Sequence, residues 1–179
     1  KRTALETGVS VTPGVNNATS LALFAKYGRD GLEKCAKDHQ LDVDFAACKD
    51  EEEQALALLS ASYNAGIDII DADDIGAALQ VEAKRMLAEK PNNRFRLKAI
   101  AGGGGKGQRI LAAPSAYEGS DAERVEKAAA KAPELVREIL NEVKTTGVGD
   151  NKNVLVELNI ETTRHQEIQV VGNGEWCIT

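Results

Sequence analysis

Five glycines in six positions, Gly102-Gly103-Gly104-Gly105-Lys106-Gly107, constrain this chain more than any other feature. A packed helix or strand would not choose them, because each carries a large entropic cost on ordering. What they allow is a mobile loop whose backbone N–H groups approach a ligand with no side chain between, and polyphosphate suits such donors. A flexible linker is the alternative. The run satisfies G-x-G-x-x-G at 102, 104 and 107, but a dinucleotide loop of that kind opens a helix. Here residues 108–112, Gln-Arg-Ile-Leu-Ala, read as a strand. A Walker A loop is excluded too, since Gly107 rather than Ser or Thr follows Lys106.

Residues 95–100 read as the strand before the glycines, with Lys98 inside an otherwise apolar stretch, on the face opposite Leu97. A lysine there is a snorkelling edge residue or a point charge aimed at phosphate. A strand–loop–strand hairpin with lysine on its first strand has the build of a flap over phosphates. In residues 154–158, Val154, Val156 and Leu158 share one face while Leu155 and Glu157 share the other. So apolar a strand obliges Glu157 to find a partner: a ribose hydroxyl, a base, a metal or a salt bridge. Arg164-His165-Gln166-Glu167-Ile168-Gln169 adds a polar row in which Glu167 and Gln169 share a strand face. Two histidines and no spaced cysteine pairs argue against metal binding, and His39, in a polar helical stretch, reads as solvated.

The chain divides by pattern into residues 1–30, 31–90 and 91–179, and the whole reads as α+β. The first part opens with a short helix, then Pro13-Gly14 as a turn signal, then a helix capped by Asn17 or Thr19 and carrying Leu21, Leu23, Phe24 and Tyr27. The second is helical and acidic: Asp50 precedes Glu51, Glu52 and Glu53 as an N-cap. From Ile75 on, Ala78, Leu79, Ala83, Met86 and Leu87 recur at helical spacing up to Pro91. Residues 31–90 are expected as a helical insertion that buries Leu56, Leu59, Leu79 and Met86. In the third part residues 121–144 read as an amphipathic helix in which Pro133 marks a kink or break. Residues 167–171 and 175–178 read as strands about a Gly172-Asn173-Gly174 turn.

Composition narrows the function. Aromatics are 4%, so the core must be aliphatic, and no apolar run reaches the roughly 18 residues of a membrane span. Twenty-two Lys and Arg against 28 Asp and Glu give a net charge of −6, which disfavours a general nucleic-acid binder. Cys35, Cys48 and Cys177 suit free thiols in a reducing, cytoplasmic setting. The only methionine is Met86, and the chain runs from Lys1 to Thr179, straight after an apolar run. That reads as a segment cut from a longer polypeptide.

Three segments resemble the biotin carboxylase family. Lys98-Ala99, the glycine run and Arg109 are similar to that family's K-A-x-x-G-G-G-G-(K/R)-G-x-R segment. Glu157 and, seven residues on, Arg164-His165-Gln166-Glu167-Ile168-Gln169-Val170 are similar to its E-x-x-x-x-x-x-R-H-x-E-I-Q-V segment, and Gly8-Val9 to Pro13-Gly14 resembles its G-V-P-x-x-P-G. The resemblance covers about residues 1–20 and 95–179. It implies the B subdomain of an ATP-grasp fold, a small antiparallel sheet with helices that closes over ATP while bicarbonate carboxylates biotin. By position, Lys98 resembles the lid lysine on the phosphates. Gly102, Gly103, Gly104, Gly105, Lys106 and Gly107 resemble the phosphate-covering loop. Glu157, Leu158 and Ile160 fall on the hinge strand at adenine, and His165 resembles the histidine near the ribose. The family usually has Glu-Lys where this chain has Glu157-Leu158, and an apolar run where it has Asn92-Asn93-Arg94-Phe95-Arg96. Residues 31–90 have no counterpart. No catalytic residue is expected within the chain; Mg²⁺ ligands and the catalytic arginine are expected beyond Thr179. The implied partners are ATP, bicarbonate, a biotin carrier domain and a carboxyltransferase. The rivals are an ATP-grasp ligase for another substrate, and a helical interaction module on a lid that has stopped handling ATP.

Overall fold

The structure is a computed structural model that describes residues 2–100, 105–145, 152–164, 166 and 168–178. In chain order it runs α1 (Arg2–Glu6), β1 (Gly14–Val15), α2 (Ala18–Tyr27), α3 (Leu32–Asp38), α4 (Glu51–Ala65), α5 (Ala72–Glu89), β2 (Phe95–Ala99) and β3 (Gln108–Leu111). It continues with α6 (Asp121–Ala129), α7 (Ala132–Thr145), β4 (Val154–Leu158), β5 (Val171–Gly172) and β6 (Cys177–Ile178). The fold is mixed, with a four-stranded antiparallel sheet in the order β1-β4-β2-β3 and a separate β5–β6 hairpin.

Alternation along the strands gives the sheet two faces. Phe95, Leu97, Ala99, Leu111, Val154 and Val156 are buried against helices, with α2 packed on β4 and α7 on β2 and β3. The other face carries Arg96, Lys98, Gln108, Ile110, Leu155 and Glu157, none of them buried. Behind the first helical layer, α5 packs on α2, α6 and α7. Gly76 allows this close approach: a Cβ there would meet the Pro133 Cα at 2.8 Å. A mid-helix glycine costs about 0.5–1 kcal/mol relative to alanine, which the α5–α7 contact offsets.

Local signals explain the helix starts. The Asp50 side chain accepts from the Glu53 N–H at 2.8 Å and caps α4. Asp71 with Asp74 and Ser120 with Glu123 form capping boxes on α5 and α6. The amphipathic stretch at 121–144 is two helices. Pro133 sits in the first turn of α7, where no N–H is needed, and the chain turns at Ala130 and Lys131.

Several expectations are corrected. Pro13-Gly14 is not a turn: Gly14 lies in β1 opposite Glu157, and a Cβ on it would meet the Val156 carbonyl oxygen at 2.2 Å. Asn17 holds the cap position of α2 without a side-chain bond. Thr19 caps nothing; its Oγ1 donates to the Lys152 carbonyl at 2.8 Å and accepts from the Val154 N–H at 3.0 Å, fixing α2 to the start of β4. Among the described residues the strands expected at 167–171 and 175–178 are limited to β5 and β6, because Ile168, Val170, Val171, Trp176 and Ile178 stay more than half exposed and no packed layer there extends the pairing. The Asn173 side chain holds the turn by accepting from the Glu175 and Trp176 N–H groups.

Residues 31–90 are helical, but the core does not divide at their boundaries. Leu32, Leu58, Ile75, Leu79 and Leu87 form one cluster with Leu23, Phe95, Ile139 and Val156. Leu79 and Met86 are buried as expected, Leu56 and Leu59 only partly, and Leu58 takes the fully buried place. Leu79→Ala is therefore expected to destabilise helices and sheet together, by about 2–5 kcal/mol. Chemical denaturation followed by circular dichroism and by amide dispersion of β2 would check it; loss of α5 alone, with the sheet intact, is the contrary result.

Candidate functional site

The open face of the sheet gathers the chemistry-bearing side chains. On β2, Lys98 projects to this side between Gln108 of β3 and Leu155 of β4. Its Nζ lies 3.6 Å from the Glu157 Oε1. Glu157 thus has the charged partner that its apolar strand demanded. The lysine side chain is 42% exposed and the glutamate 16%, so the pair presents its cation outward.

Arg96, one alternation step away, spans the sheet. Its Nε and Nη2 donate to the Asn159 Oδ1 at 3.2 and 2.9 Å, and its Nη1 donates to the Gln108 Oε1 at 2.6 Å. Gln108 turns its Nε2 to the Gly105 carbonyl at 3.0 Å, so one amide joins the glycine loop to the arginine. Asn159, itself buried, passes the network on by donating to Glu161, which takes the Arg94 guanidinium at 2.8 Å. A continuous polar chain therefore runs from the loop across three strands to the segment after β4.

The Arg94 guanidinium, and after it the Asn159 amide, hold the Glu161 carboxyl down to about 2. On the helix side, Arg109 lies beside the Leu97 face and reaches Glu138 and Glu142 of α7, each at 2.7 Å. Glu142 also accepts from the Gly107 N–H at 3.1 Å, which pins the end of the loop to α7. Arg109, then Gly107, lower its pKa.

The residues expected from sequence separate by place. Lys98 and Glu157 come together on the open face. Gly105 and Gly107 adopt positive φ, +81° and +70°, that favours glycine, and Gly107 accepts from the Ala99 N–H as the hairpin closes. Lys106 is exposed. Leu158 does not join Glu157: it faces the helix side, lining a small cavity of about 140 Å³ with Gly14, Met86 and Phe95. Ile160 is half exposed past the end of β4. Gly102, Gly103, Gly104, His165 and Glu167 lie outside the described residues. Sequence reasoning missed Arg96, Gln108 and Asn159. Its available signal was the spacing of Arg94, Arg96 and Lys98, two apart on one face of a strand.

A cavity of about 500 Å³ lies between α5 and α6, lined by Lys84, Ala88, Pro91, Pro114, Arg124 and Val125, and shares no residue with the open face. Among the described residues no group of three His, Cys, Asp or Glu is placed to hold a metal ion, and no helix is long and apolar enough to cross a membrane. No protein-family model, curated protein or solved structure matches the chain.

The Glu161 carboxyl gives a direct test of the network. Its folded pKa lies below the ordinary 4.5, so its stabilising contribution is complete above pH 4.5 and is lost as the pH falls toward 2. An NMR titration of the carboxyl is expected to show a midpoint near 2. Arg94→Gln should move that midpoint up toward 4.5, because the first of its two donors is gone. An unchanged midpoint would leave the lowering to Asn159.

Proposed function

We propose that this chain is the ATP-covering lid of a biotin carboxylase, an ATP-grasp enzyme that uses ATP and bicarbonate to carboxylate biotin. The observation that carries the reading is the open sheet face, with Lys98 on the strand that leads into the glycine loop and Glu157 beside it. By position Lys98 resembles the lid lysine on the phosphates, and it stands on the sheet face away from the helices. An exposed face, rather than a closed cavity, also suits one wall of a two-walled site.

In this reading Lys98 holds a phosphate oxygen as a point charge, and Glu157 fixes the lysine's direction. The glycine loop offers backbone N–H groups to the same phosphates, and Glu142 anchors its far end through Gly107. These residues bind and orient the nucleotide; positioning and electrostatics dominate phosphoryl transfer. Mg²⁺ would be held by carboxylates outside this chain, and when bound supplies charge neutralisation at the phosphates. The biotin carrier domain and the carboxyltransferase of the parent would meet the site from beyond this wall. With one wall only, the phosphates stay hydrated, so the chain alone should hold ATP at millimolar strength or weaker, about −4 kcal/mol. Calorimetry returning micromolar ATP affinity would show a more complete site.

In the full carboxylase, Lys98→Met is expected to lower kcat/KM for ATP about 10²-fold or more. A positioned donor in a closed, low-dielectric site is worth about 2.7–4 kcal/mol. Bicarbonate-dependent ATP cleavage at the unsubstituted rate in that variant would remove Lys98 from the site. ATP cleavage driven by a carboxylate substrate other than bicarbonate would favour a different ATP-grasp ligase, and absence of nucleotide binding would favour the interaction module.

A further inference from the structure

The cations of the open face are not equally compensated. Arg94 is neutralised by Glu161 and Lys98 by Glu157. Arg96 touches only neutral oxygens, the amides of Asn159 and Gln108, and among the described residues no carboxylate lies within 4.0 Å of its nitrogens. Glu157 stands opposite Arg96 in the β2–β4 register, yet the carboxylate is within ion-pair distance of Lys98 instead. Among the described residues the two carboxylates of this face pair with Arg94 and Lys98, and Arg96, whose charge the Glu161 carboxyl feels only at longer range, has no ion pair of its own.

The guanidinium is also held ready. It carries five N–H donors, of which three are used, so one remains on each terminal nitrogen. Gln108 of β3 and Asn159 just past β4 hold the group from opposite sides, which reduces the entropy lost when an anion docks. A fixed fork with one donor left on each tine matches the oxygens of a phosphate, and Arg is preferred over Lys where that recognition is bidentate. Lys98 lies two residues on along the same face, within about 7 Å along the strand. One polyphosphate can span both.

We infer that Arg96 is a second anion-binding residue of the open face, taking a phosphate oxygen of a polyphosphate beside Lys98. The choice of polyphosphate rests on the nucleotide reading above; the uncompensated fork itself does not. Gln108 gives the site a further property, since the amide that accepts from Arg96 donates to Gly105. An anion docked on Arg96 is therefore linked through that one amide to the Gly105 carbonyl.

The test uses this chain, isotopically labelled, with amide signals followed by NMR during titration with inorganic triphosphate, ATP and adenosine. The expected result is that both polyphosphates shift the amides of β2 and Gln108, and that Arg96→Gln weakens inorganic triphosphate about threefold to tenfold. Polyphosphate binding with unchanged affinity in Arg96→Gln would overturn the inference and leave the nucleotide reading standing. Loss in Arg96→Gln with ATP no tighter than triphosphate, and with the amides of 157–160 unmoved by ATP or adenosine, would uphold the anion site and overturn the nucleotide reading. No shift of β2 by either polyphosphate at about tens of millimolar, above the millimolar binding expected of this chain, would overturn both. If Arg96→Gln loses its dispersed spectrum, Arg96→Lys decides: it keeps the charge and loses the fork, so weakened triphosphate binding supports the inference and unchanged binding overturns it.

Discussion

Strand β2 is the element on which both the core and the candidate site depend. It pairs with β3 on one side and β4 on the other, and its five residues alternate between two tasks. Phe95, Leu97 and Ala99 are buried under α7, while Arg96 and Lys98 stand on the far face. A slip of one residue would exchange the faces, burying two cations and exposing the apolar set. The cost of burying unpaired charge fixes the register, and the register in turn aligns Lys98 with Leu155 and Gln108. The geometry of the site is thus a by-product of the same burial that holds the sheet to its helices.

How much of this was legible depends on the range of the interaction. Signals confined to a few residues were readable: the Asp50 cap of α4, the helical spacing through Leu79 and Leu87, the strand periodicity at β2 and β4, and the break at Pro133. Features set by distant partners were not. Gly14 reads locally as a turn residue, and only its pairing with Glu157, far along the chain, shows that the missing Cβ makes room for a strand. Thr19 reads as a cap because nothing local says that Val154 will need its oxygen. Period-two spacing places Arg96 on a face, but its partners are Gln108, 12 residues on, and Asn159, 63 residues on.

The same distinction explains the acidic helices of 31–90. Their sequence looks self-contained, with its own caps and its own apolar stripes. What attaches them to the rest is a matter of fit: Gly76 lets α5 approach Pro133 at a distance any side chain would forbid, and Lys26 reaches across from α2 to Asp74 at 2.6 Å. Tyr27 adds a bond from its hydroxyl to the Ile69 carbonyl at 2.7 Å. The surface ion pair contributes little in water. The close helix contact, with Ile75 and Leu79 fully buried, contributes most.

Charge is distributed with the same economy of place. The chain carries a net −6, yet much of its acid lies where helices want it. Glu51, Glu52 and Glu53 open α4, Asp73 and Asp74 open α5, and Asp121 and Glu123 open α6. In those first turns carboxylates complement the helix N-termini. Glu138 and Glu142 are drawn to the helix side by Arg109. Among the described residues, Arg94, Arg96 and Lys98 outnumber Glu157 and Glu161 on the open sheet face, on a molecule whose overall field repels anions. In the proposed reading, a polyanion would have to be held there by close contact with Arg96 and Lys98. Such contacts gain strength when water is excluded, which is why the lid reading proposed above calls for a second wall to close against this face.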